Sequence, residues 1–224
     1  MNNEKISEQT IKPNKYQTYN PAWQRSRIDF ILSKYPKDFF VGKRILELGS
    51  FNGYIGTRFS ELGATVVCVE GRQENIDNIK SNYPHLQVYH SDLDTPVWSW
   101  GKFDIIINFG LYYHLATYHR DHLINCLNNC DLMFFESVIW DNNQPVIYYQ
   151  PECQNICGDQ GLSPTAGIPS TSYIENILKE CNSPFIKFSD PKLNGDTHHY
   201  DWVDSNSNSI DGHRRRFWII NNLN

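Results

Sequence analysis

The chain has 224 residues, of which 40% are hydrophobic and 20% are charged, and its formal net charge is −5. Such a chain can bury a sizeable core within one domain. The acidic balance argues against a nucleic-acid partner, because phosphate neutralisation needs clustered Lys and Arg, and the one basic cluster is Arg214 to Arg216. No apolar run has the length of a membrane span or the character of a signal peptide, so we expect a cytoplasmic protein without a membrane partner.

The predicted elements begin with a helix. Residues 1–15 are polar, and apolar residues then recur at helical spacing between Tyr16 and Tyr35, after an Asn20-Pro21 start signal. The body of the chain alternates between the two element types. Helices are predicted at 53–62, 73–82 and 114–128, and strands at "RILELG", "TVVCVEG", "LQVYHSD", "FDIIINFG" and "DLMFFESVIW". Apolar strands that alternate with helices predict a parallel sheet buried on both faces.

The regular alternation stops after Trp140. Residues 141–169 are rich in Pro, Gly, Asn and Gln and predict a long loop, which in a compact domain is more often functional than idle. "STSYIENILKE" carries a helix N-cap signal, and "FIKFSD" is typical of a strand. Residues 190–212 are polar and rich in turn formers before a last strand, "RRRFWII". We therefore expect a C-terminal strand pair added to the sheet.

The stretch "ILELGSFNGYIG" has the glycine-rich character of a nucleotide-binding loop. It lacks the G-x-G-x-x-G pattern of dinucleotide sites, because Gly49 and Gly53 are four residues apart. Glu47 stands two residues before the loop, where its carboxylate would repel a pyrophosphate. S-adenosylmethionine has no phosphate but carries a sulfonium and an ammonium group, which the same carboxylate would attract. The loop therefore favours S-adenosylmethionine.

Polar residues at the ends of the next strands agree with this interpretation. Glu70 ends the second strand, about twenty residues beyond the loop, where an acid can accept the two ribose hydroxyls. Asp92 ends the third strand and is placed to meet the adenine amino group. Asn108 to Gly110 end the fourth strand and would line the methionine side.

With "ELGSFNG", "VEG", "SDL" and "FDIIINFGLYYHL" in this order and spacing, the chain resembles the class I S-adenosylmethionine-dependent methyltransferases between about Gly42 and Trp140. Phe51 occupies the position of the central glycine in the family's commoner loop, which affects the shape of the loop. The resemblance implies an α/β fold with a Rossmann-like, doubly wound, mostly parallel seven-stranded sheet. The residues expected to bind the cofactor are Glu47, Gly49, Ser50, Gly53, Tyr54, Glu70, Gly71, Asp92, Leu93, Asn108 and Gly110.

We expect residues 1–224 to form a single methyltransferase domain with three parts. Residues 1–40 form an N-terminal extension with its helix, and 41–140 form the cofactor-binding core. Residues 141–224 supply long acceptor-binding loops and the last strands.

Transfer of a methyl group to an alcohol requires a base to remove the hydroxyl proton. His114 follows the fourth strand, although it could equally cap or pack against the next helix. Glu136 interrupts an apolar strand, which places it at the strand's open end unless it pairs with a nearby Arg. His198, in "GDTHHYDW", is the third candidate, and that loop could also be a satisfied polar cluster.

The C-terminal half resembles a little-described methyltransferase group associated with glycan-building enzymes. The similar elements are "FFESVIWDNN", "GDQGLSPTAGIPSTSYIENIL", "LNGDTHHYDW" and "RRFWII". The resemblance implies that Glu136, Asp159, Gln160 and His198 are shared polar positions and that the acceptor is a sugar hydroxyl. Sugars pack on aromatic faces, and several rings fall near the predicted open edge of the sheet: Tyr112, Tyr113, Trp140, Tyr148, Tyr149 and Trp202.

Other interpretations remain open. A divalent metal could be held by Glu136 or Asp141 with the histidines of 198–199, but no ligand spacing calls for one, and the six cysteines form no C-x-x-C pair. The acceptor could be a glycan or another small molecule, methylated on oxygen or nitrogen. The chain could also be a catalytically silent S-adenosylmethionine-binding partner of another enzyme. The oligomeric state is not predicted.

Overall fold

The computed structural model describes residues 22–152, 160–188 and 214–222. Its helices are α1 (Ala22–Leu32), α2 (Tyr54–Glu61), α3 (Gln73–Asn82), α4 (His119–Asn128) and α5 (Thr171–Glu180), with 3-10 turns at Lys37–Phe40 and Tyr112–His114. Its strands are β1 (Arg44–Leu48), β2 (Thr65–Glu70), β3 (Gln87–His90), β4 (Phe103–Phe109), β5 (Cys130–Ile139), β6 (Ile147–Pro151), β7 (Thr165–Pro169), β8 (Phe185–Phe188) and β9 (Arg214–Asn221). None of the helices in these three ranges has the length and apolarity that crossing a bilayer requires.

The central sheet has seven strands in the order β3-β2-β1-β4-β5-β9-β8. The strands β1 to β5 pair in parallel, whereas β9 is antiparallel to both β5 and β8. The predicted doubly wound sheet with an added C-terminal strand pair is confirmed. The strand order reverses beside β1, so the carboxyl ends of β1 and β4 flank the crevice in which open α/β sheets bind ligands.

Alternation along the strands builds a hydrophobic core on each face of the sheet. On one face, Ile45 and Phe134 pack with residues of α1 and α2 such as Ile31 and Phe59. On the other face, Leu46, Met133 and Trp218 pack with α4 and α5 through residues that include Leu123 and Ile174. Because successive side chains of a strand point to opposite faces of the sheet, neighbouring residues of one strand pack against different helices.

Two regions differ from the sequence prediction. The segment 141–169 contains the antiparallel pair β6 and β7 in place of an unbroken loop. Helix α4 begins at His119 and not at residue 114, because the Asp94 carboxylate accepts the backbone N–H groups of Ala116, Thr117 and Tyr118 at 2.8–3.1 Å. These three N–H groups therefore do not donate to carbonyls four residues earlier, so the helical hydrogen-bond pattern begins after them.

Candidate active site

A cavity of about 330 Å³ lies at the carboxyl ends of β1 to β4. Its wall is formed by the loops that follow these four strands, by one residue of α1 and by a segment between β6 and β7. The lining residues are Trp23, Gly49, Phe51, Glu70 to Arg72, Ser91 to Asp94, Phe109 to Leu111, Tyr113 to Leu115, and Gln160 to Ser163. This is the edge at which the sequence predicts ligand binding.

Glu70, the last residue of β2, presents an oriented carboxylate to this cavity. Its Oε1 accepts the backbone N–H groups of Gly71 and Arg72, both at 3.0 Å, and the side-chain amide of Asn75 at 3.1 Å. Its Oε2 accepts the N–H of Phe51 at 2.8 Å. Among the described residues Oε2 receives this one hydrogen bond, which leaves it a lone pair for a ligand hydroxyl.

Two glycines, Gly49 and Gly110, lie in the wall on the β1 and β4 side, beside Phe51, Phe109 and Leu111. Gly49 and Gly110 have φ values of 71° and 69°, a conformation that other residues rarely adopt. A Cβ on Gly49 would lie 3.2 Å from the Cβ of Leu111. Glycine therefore lets the two loops approach each other and a ligand closely.

The loop after β3 closes another side of the cavity. Asp92 is exposed and its Oδ1 accepts the N–H of Asp94 at 2.9 Å, whereas Leu93 is buried. An apolar side chain beside an exposed carboxylate suits a heteroaromatic ring with an amino group.

His114 lines the cavity, and its Nδ1 is in close hydrogen-bond contact with Oε1 of Glu152. Glu152 directly follows β6, and its Oε1 also accepts the N–H of Gly161 at 3.1 Å. The His114 side chain is 14% exposed and that of Glu152 is 8% exposed. Glu152 was not predicted as a site residue, because it is a single acid in a stretch predicted as loop. It directly follows β6, whose pairing with β7 places it beside His114.

Besides Glu47, four of the predicted cofactor residues lie outside the cavity wall. Ser50 is buried and donates to the carbonyl of Glu47 at 3.1 Å. Gly53, with φ of 75°, precedes α2, and Tyr54 begins that helix. Asn108 is fully buried and faces α4, where its amide donates to Nε2 of His122 at 2.8 Å. Burial lowers the pKa of His122 to about 4, so this ring is neutral.

Glu47 also lies away from the cavity, which differs from the expectation that its charge attracts a sulfonium. It is the fourth of five residues in β1 and lies two residues after Ile45. Its side chain is therefore on the same face of the sheet as Ile45, the face that α2 covers. Its Oε2 accepts the Cys68 thiol at 3.4 Å, and a Cβ on Gly56 would lie 2.7 Å from that oxygen. Burial raises the pKa of Glu47 to about 8, so the group is largely uncharged at neutral pH.

Glu136 differs from its expected position at an open strand end. Strand β5 continues for three residues beyond it, paired with β9, and the side chain is fully buried outside the cavity wall. Its Oε1 accepts Arg215 Nη1 at 2.7 Å and lies 3.8 Å from Arg27 Nη2. The structure therefore agrees with the alternative given for Glu136 in the sequence, which is a pairing with a nearby Arg. Arg215 also donates to the Tyr113 hydroxyl at 3.0 Å, which links the pair to the cavity wall.

The remaining predicted positions lie partly inside and partly outside the described ranges. Gln160 lines the cavity. Asp159 and the loop with His198, His199 and Trp202 lie outside the described residues. Within the described ranges no group of three or more His, Cys, Asp or Glu side chains could hold a metal ion. The expected partners of a metal, His198 and His199, are not part of that finding.

No protein-family model matches the chain, and no curated protein matches its sequence. Solved structures do match. The N-terminal domain of EvdMO1 with SAH bound superimposes with a TM-score of 0.63 at 15% identity, over 92% of this chain and 82% of that one. An S-adenosylmethionine-dependent methyltransferase from Clostridium acetobutylicum gives 0.61 at 11% identity, over 92% and 93%. The glycopeptide N-methyltransferase MtfA gives 0.59 at 10% identity, over 91% and 90%.

The chain has the class I methyltransferase fold. The methyltransferase fold extends over nearly the whole chain, since each of these matches covers more than nine-tenths of it. At such low identity the match carries the architecture, and the roles of individual residues are argued from their geometry.

Proposed function

We propose that this protein is an S-adenosylmethionine-dependent O-methyltransferase whose acceptor is a hydroxyl of a sugar or glycan. The observation that carries the proposal is the His114–Glu152 pair in the wall of the cavity. Methylation of an amine or an acidic carbon needs less help from a base, whereas a hydroxyl needs its proton removed. A histidine held by a carboxylate is an arrangement suited to that task.

The cavity residues fit the proposed cofactor. The free lone pair of Glu70 Oε2 suits the ribose hydroxyls, and Asp92 with Leu93 suits the adenine ring. Gly49 and Gly110 leave room for the methionine part. A volume of about 330 Å³ lies within the range of small-molecule sites. The proposed cofactor set is therefore smaller than the set predicted from the sequence, since five predicted residues lie outside the cavity wall: Glu47, Ser50, Gly53, Tyr54 and Asn108.

When bound, S-adenosylmethionine supplies a methyl group activated by its sulfonium. In neutral His114, Nδ1–H donates to Glu152, which leaves Nε2 as the nitrogen that takes the acceptor's hydroxyl proton. Nε2 of His114 would take the hydroxyl proton as the acceptor oxygen receives the methyl group. Glu152 then faces the imidazolium, whose positive charge it stabilises. The wall otherwise aligns the two reactants and excludes water.

Two observations favour a sugar acceptor. Trp23, Phe109 and Tyr113 contribute aromatic rings to the wall, and sugars pack on such faces. The EvdMO1 domain, which has the same fold, has been solved in the presence of SAH and D-fucose. Not all the predicted rings contribute: Tyr112 is fully buried in the core, and Trp140 stacks on Tyr148 at 4.1 Å outside the cavity wall.

The test is a transfer assay with labelled S-adenosylmethionine and a panel of sugars, nucleotide sugars, glycans, phenols and amines. We expect label in a sugar hydroxyl. His114→Asn should lower the transfer rate by about 10²–10⁴-fold, the contribution of a positioned base. His85→Asn, a change of the same kind at an exposed histidine, should transfer normally.

Label that enters only phenols or amines would contradict the sugar acceptor. Binding of S-adenosylhomocysteine without transfer to any acceptor would instead favour the silent partner module. Normal transfer by His114→Asn would contradict the role of the base.

A further inference from the structure

The residues Gln160 to Ser163, here called the bridging segment, line the cavity between its two functional ends. One end carries Glu70, and the other carries the His114–Glu152 pair. The bridging segment makes hydrogen bonds at both ends, to Arg72 next to Glu70 and to Glu152. A change in the position of the segment therefore changes the geometry at both ends.

On the cofactor side the segment is held by Arg72. Its Nη2 donates to the carbonyl of Gly161 at 2.8 Å and to that of Gln160 at 3.2 Å, and its Nε donates to the Gln160 carbonyl at 3.3 Å. The backbone N–H of the same residue donates to Glu70 Oε1 at 3.0 Å. Arg72 thus joins the bridging segment to the acid at the end of β2. A planar guanidinium that reaches two successive carbonyls fixes both in orientation.

On the acceptor side the segment holds Glu152. The N–H of Gly161 donates to Oε1 of Glu152, the oxygen that also contacts His114 Nδ1. A Cβ on Gly161 would lie 2.7 Å from the His114 carbonyl and 2.8 Å from Glu152 Oε2. Beside Arg72, a Cβ on Gly71 would lie 2.8 Å from Leu162. The segment is therefore in close contact on both sides, and a shift at one side moves the other.

We propose that Arg72 is a positioning residue for the His114–Glu152 pair. Through Gly161 it orients the Glu152 carboxylate, and through that carboxylate it fixes His114 with Nδ1 protonated and Nε2 turned to the acceptor. The inference rests on the proposed function in taking His114 as the base. Arg72 lies on the cofactor side of the cavity, yet in this proposal it orients the residues that act on the acceptor.

The first test is independent of methyl transfer. In the full chain labelled with ¹⁵N-histidine, the ring signals absent from His114→Asn belong to His114, and their shifts report its tautomer. We expect the Nδ1–H tautomer in the wild type and in Arg120→Ala, which removes an exposed pairing with Glu180. We expect a mixture of tautomers in Arg72→Ala and a return towards Nδ1–H in Arg72→Lys, which keeps one donor. An unchanged His114 tautomer in Arg72→Ala would overturn the inference, even if the enzyme is active.

The second test separates positioning from general support. Arg72→Ala should lower kcat by about 10–100-fold, as loss of an outer partner does at catalytic centres. In a Glu152→Gln background the same substitution should cost less than about twofold, because its effect passes through Glu152. Equal losses in both backgrounds would overturn the inference. A wild type that transfers no methyl group would remove the proposed function, and the tautomer measurement would still decide whether Arg72 orients the pair.

If Arg72→Ala does not fold, Arg72→Lys alone decides. A Lys variant with the wild-type tautomer population and wild-type kcat would overturn the inference, because an ammonium group cannot hold the two carbonyls as the guanidinium does. A partial loss of both would support it. Stabilisation of each variant by S-adenosylhomocysteine in a thermal melt shows that the cavity has formed.

Discussion

At the scale of single residues, Glu47 shows how burial changes what an acidic residue does. Its carboxyl lies under α2 against Gly56 and the Cys68 thiol, and burial raises its pKa to about 8. Between the ordinary carboxyl pKa of 4.5 and about 8, the folded protein holds a proton that the unfolded chain has released. The free energy of unfolding therefore falls as pH rises through this window.

This predicts a defined effect of Glu47→Gln. The wild-type free energy of unfolding should fall between about pH 5 and pH 8, with a slope of at most about 1.4 kcal/mol per pH unit from this one group. Glu47→Gln should flatten that slope, because the amide carries no proton to lose. Denaturant unfolding at several pH values measures it. Glu61→Gln, at an exposed acid on α2, should keep the wild-type slope. Parallel curves for Glu47→Gln and the wild type would contradict the buried, protonated state.

The two acids also show what the sequence could predict about single residues. Glu70 is the last residue of its strand and lies in the cavity wall, as the position of the strand end indicated. Glu47 precedes the end of β1 by one residue, and the alternation of side chains turns it under the helix. A shift of one residue in the position of a strand end therefore decides whether a side chain faces the cavity or a helix. A single sequence does not define strand ends to one residue.

At the scale of elements, the contact of α2 with β1 depends on Gly56. A Cβ there would lie 2.7 Å from Glu47 Oε2, 2.9 Å from Cys68 Sγ and 3.4 Å from Val66. The third glycine of the loop sequence thus serves helix packing and not ligand approach. It is buried in the first turns of α2, and no positive φ requires it.

Gly56→Ala should accordingly destabilise the protein by about 1–3 kcal/mol, the cost of overpacking a close contact, despite the better helix propensity of Ala. The matched control on the same helix is Arg58→Ala, which removes an exposed pairing with Glu61 and should change stability by less than about 0.5 kcal/mol. Denaturant midpoints measure both. A gain in stability for Gly56→Ala would show that the helix can move away without cost.

The elements themselves were largely predictable, with one informative exception. Continuous apolar runs located β1, β2, β4 and β5, because these strands are buried on both faces, and apolar residues at helical spacing located the helices between them. Strands β6 and β7 were predicted as loop, because Pro, Gly, Asn and Gln are frequent in residues 141–169. Glu152 directly follows β6, so the carboxylate partner of His114 could not be predicted from local sequence.

At the scale of the whole molecule, Glu136 connects three distant parts of the chain. It lies on β5, and its carboxylate meets Arg27 of α1 and Arg215 of β9, both of which are buried. Two buried guanidiniums share this anion, so the N-terminal helix and the last strand are held to the middle of the sheet by one group.

Glu136→Gln should therefore act on stability and not on chemistry. Removal of one member of a buried charge cluster costs about 3–5 kcal/mol. The folded fraction of the variant should still transfer methyl groups, because the side chain lies outside the cavity wall. Thermal unfolding and transfer per folded molecule give the two readouts. Wild-type stability with lost transfer would restore the catalytic role that the sequence analysis assigned to Glu136.

We propose that the cavity at the carboxyl ends of β1 to β4 binds S-adenosylmethionine through Glu70. Calorimetric titration with S-adenosylhomocysteine tests it most directly, on the wild type, Glu70→Gln and the exposed control Glu61→Gln. We expect one site per chain, an affinity reduced about tenfold or more in Glu70→Gln through loss of a charged hydrogen bond, and no change in Glu61→Gln. No binding to the wild type, or equal binding to a folded Glu70→Gln, would contradict the account.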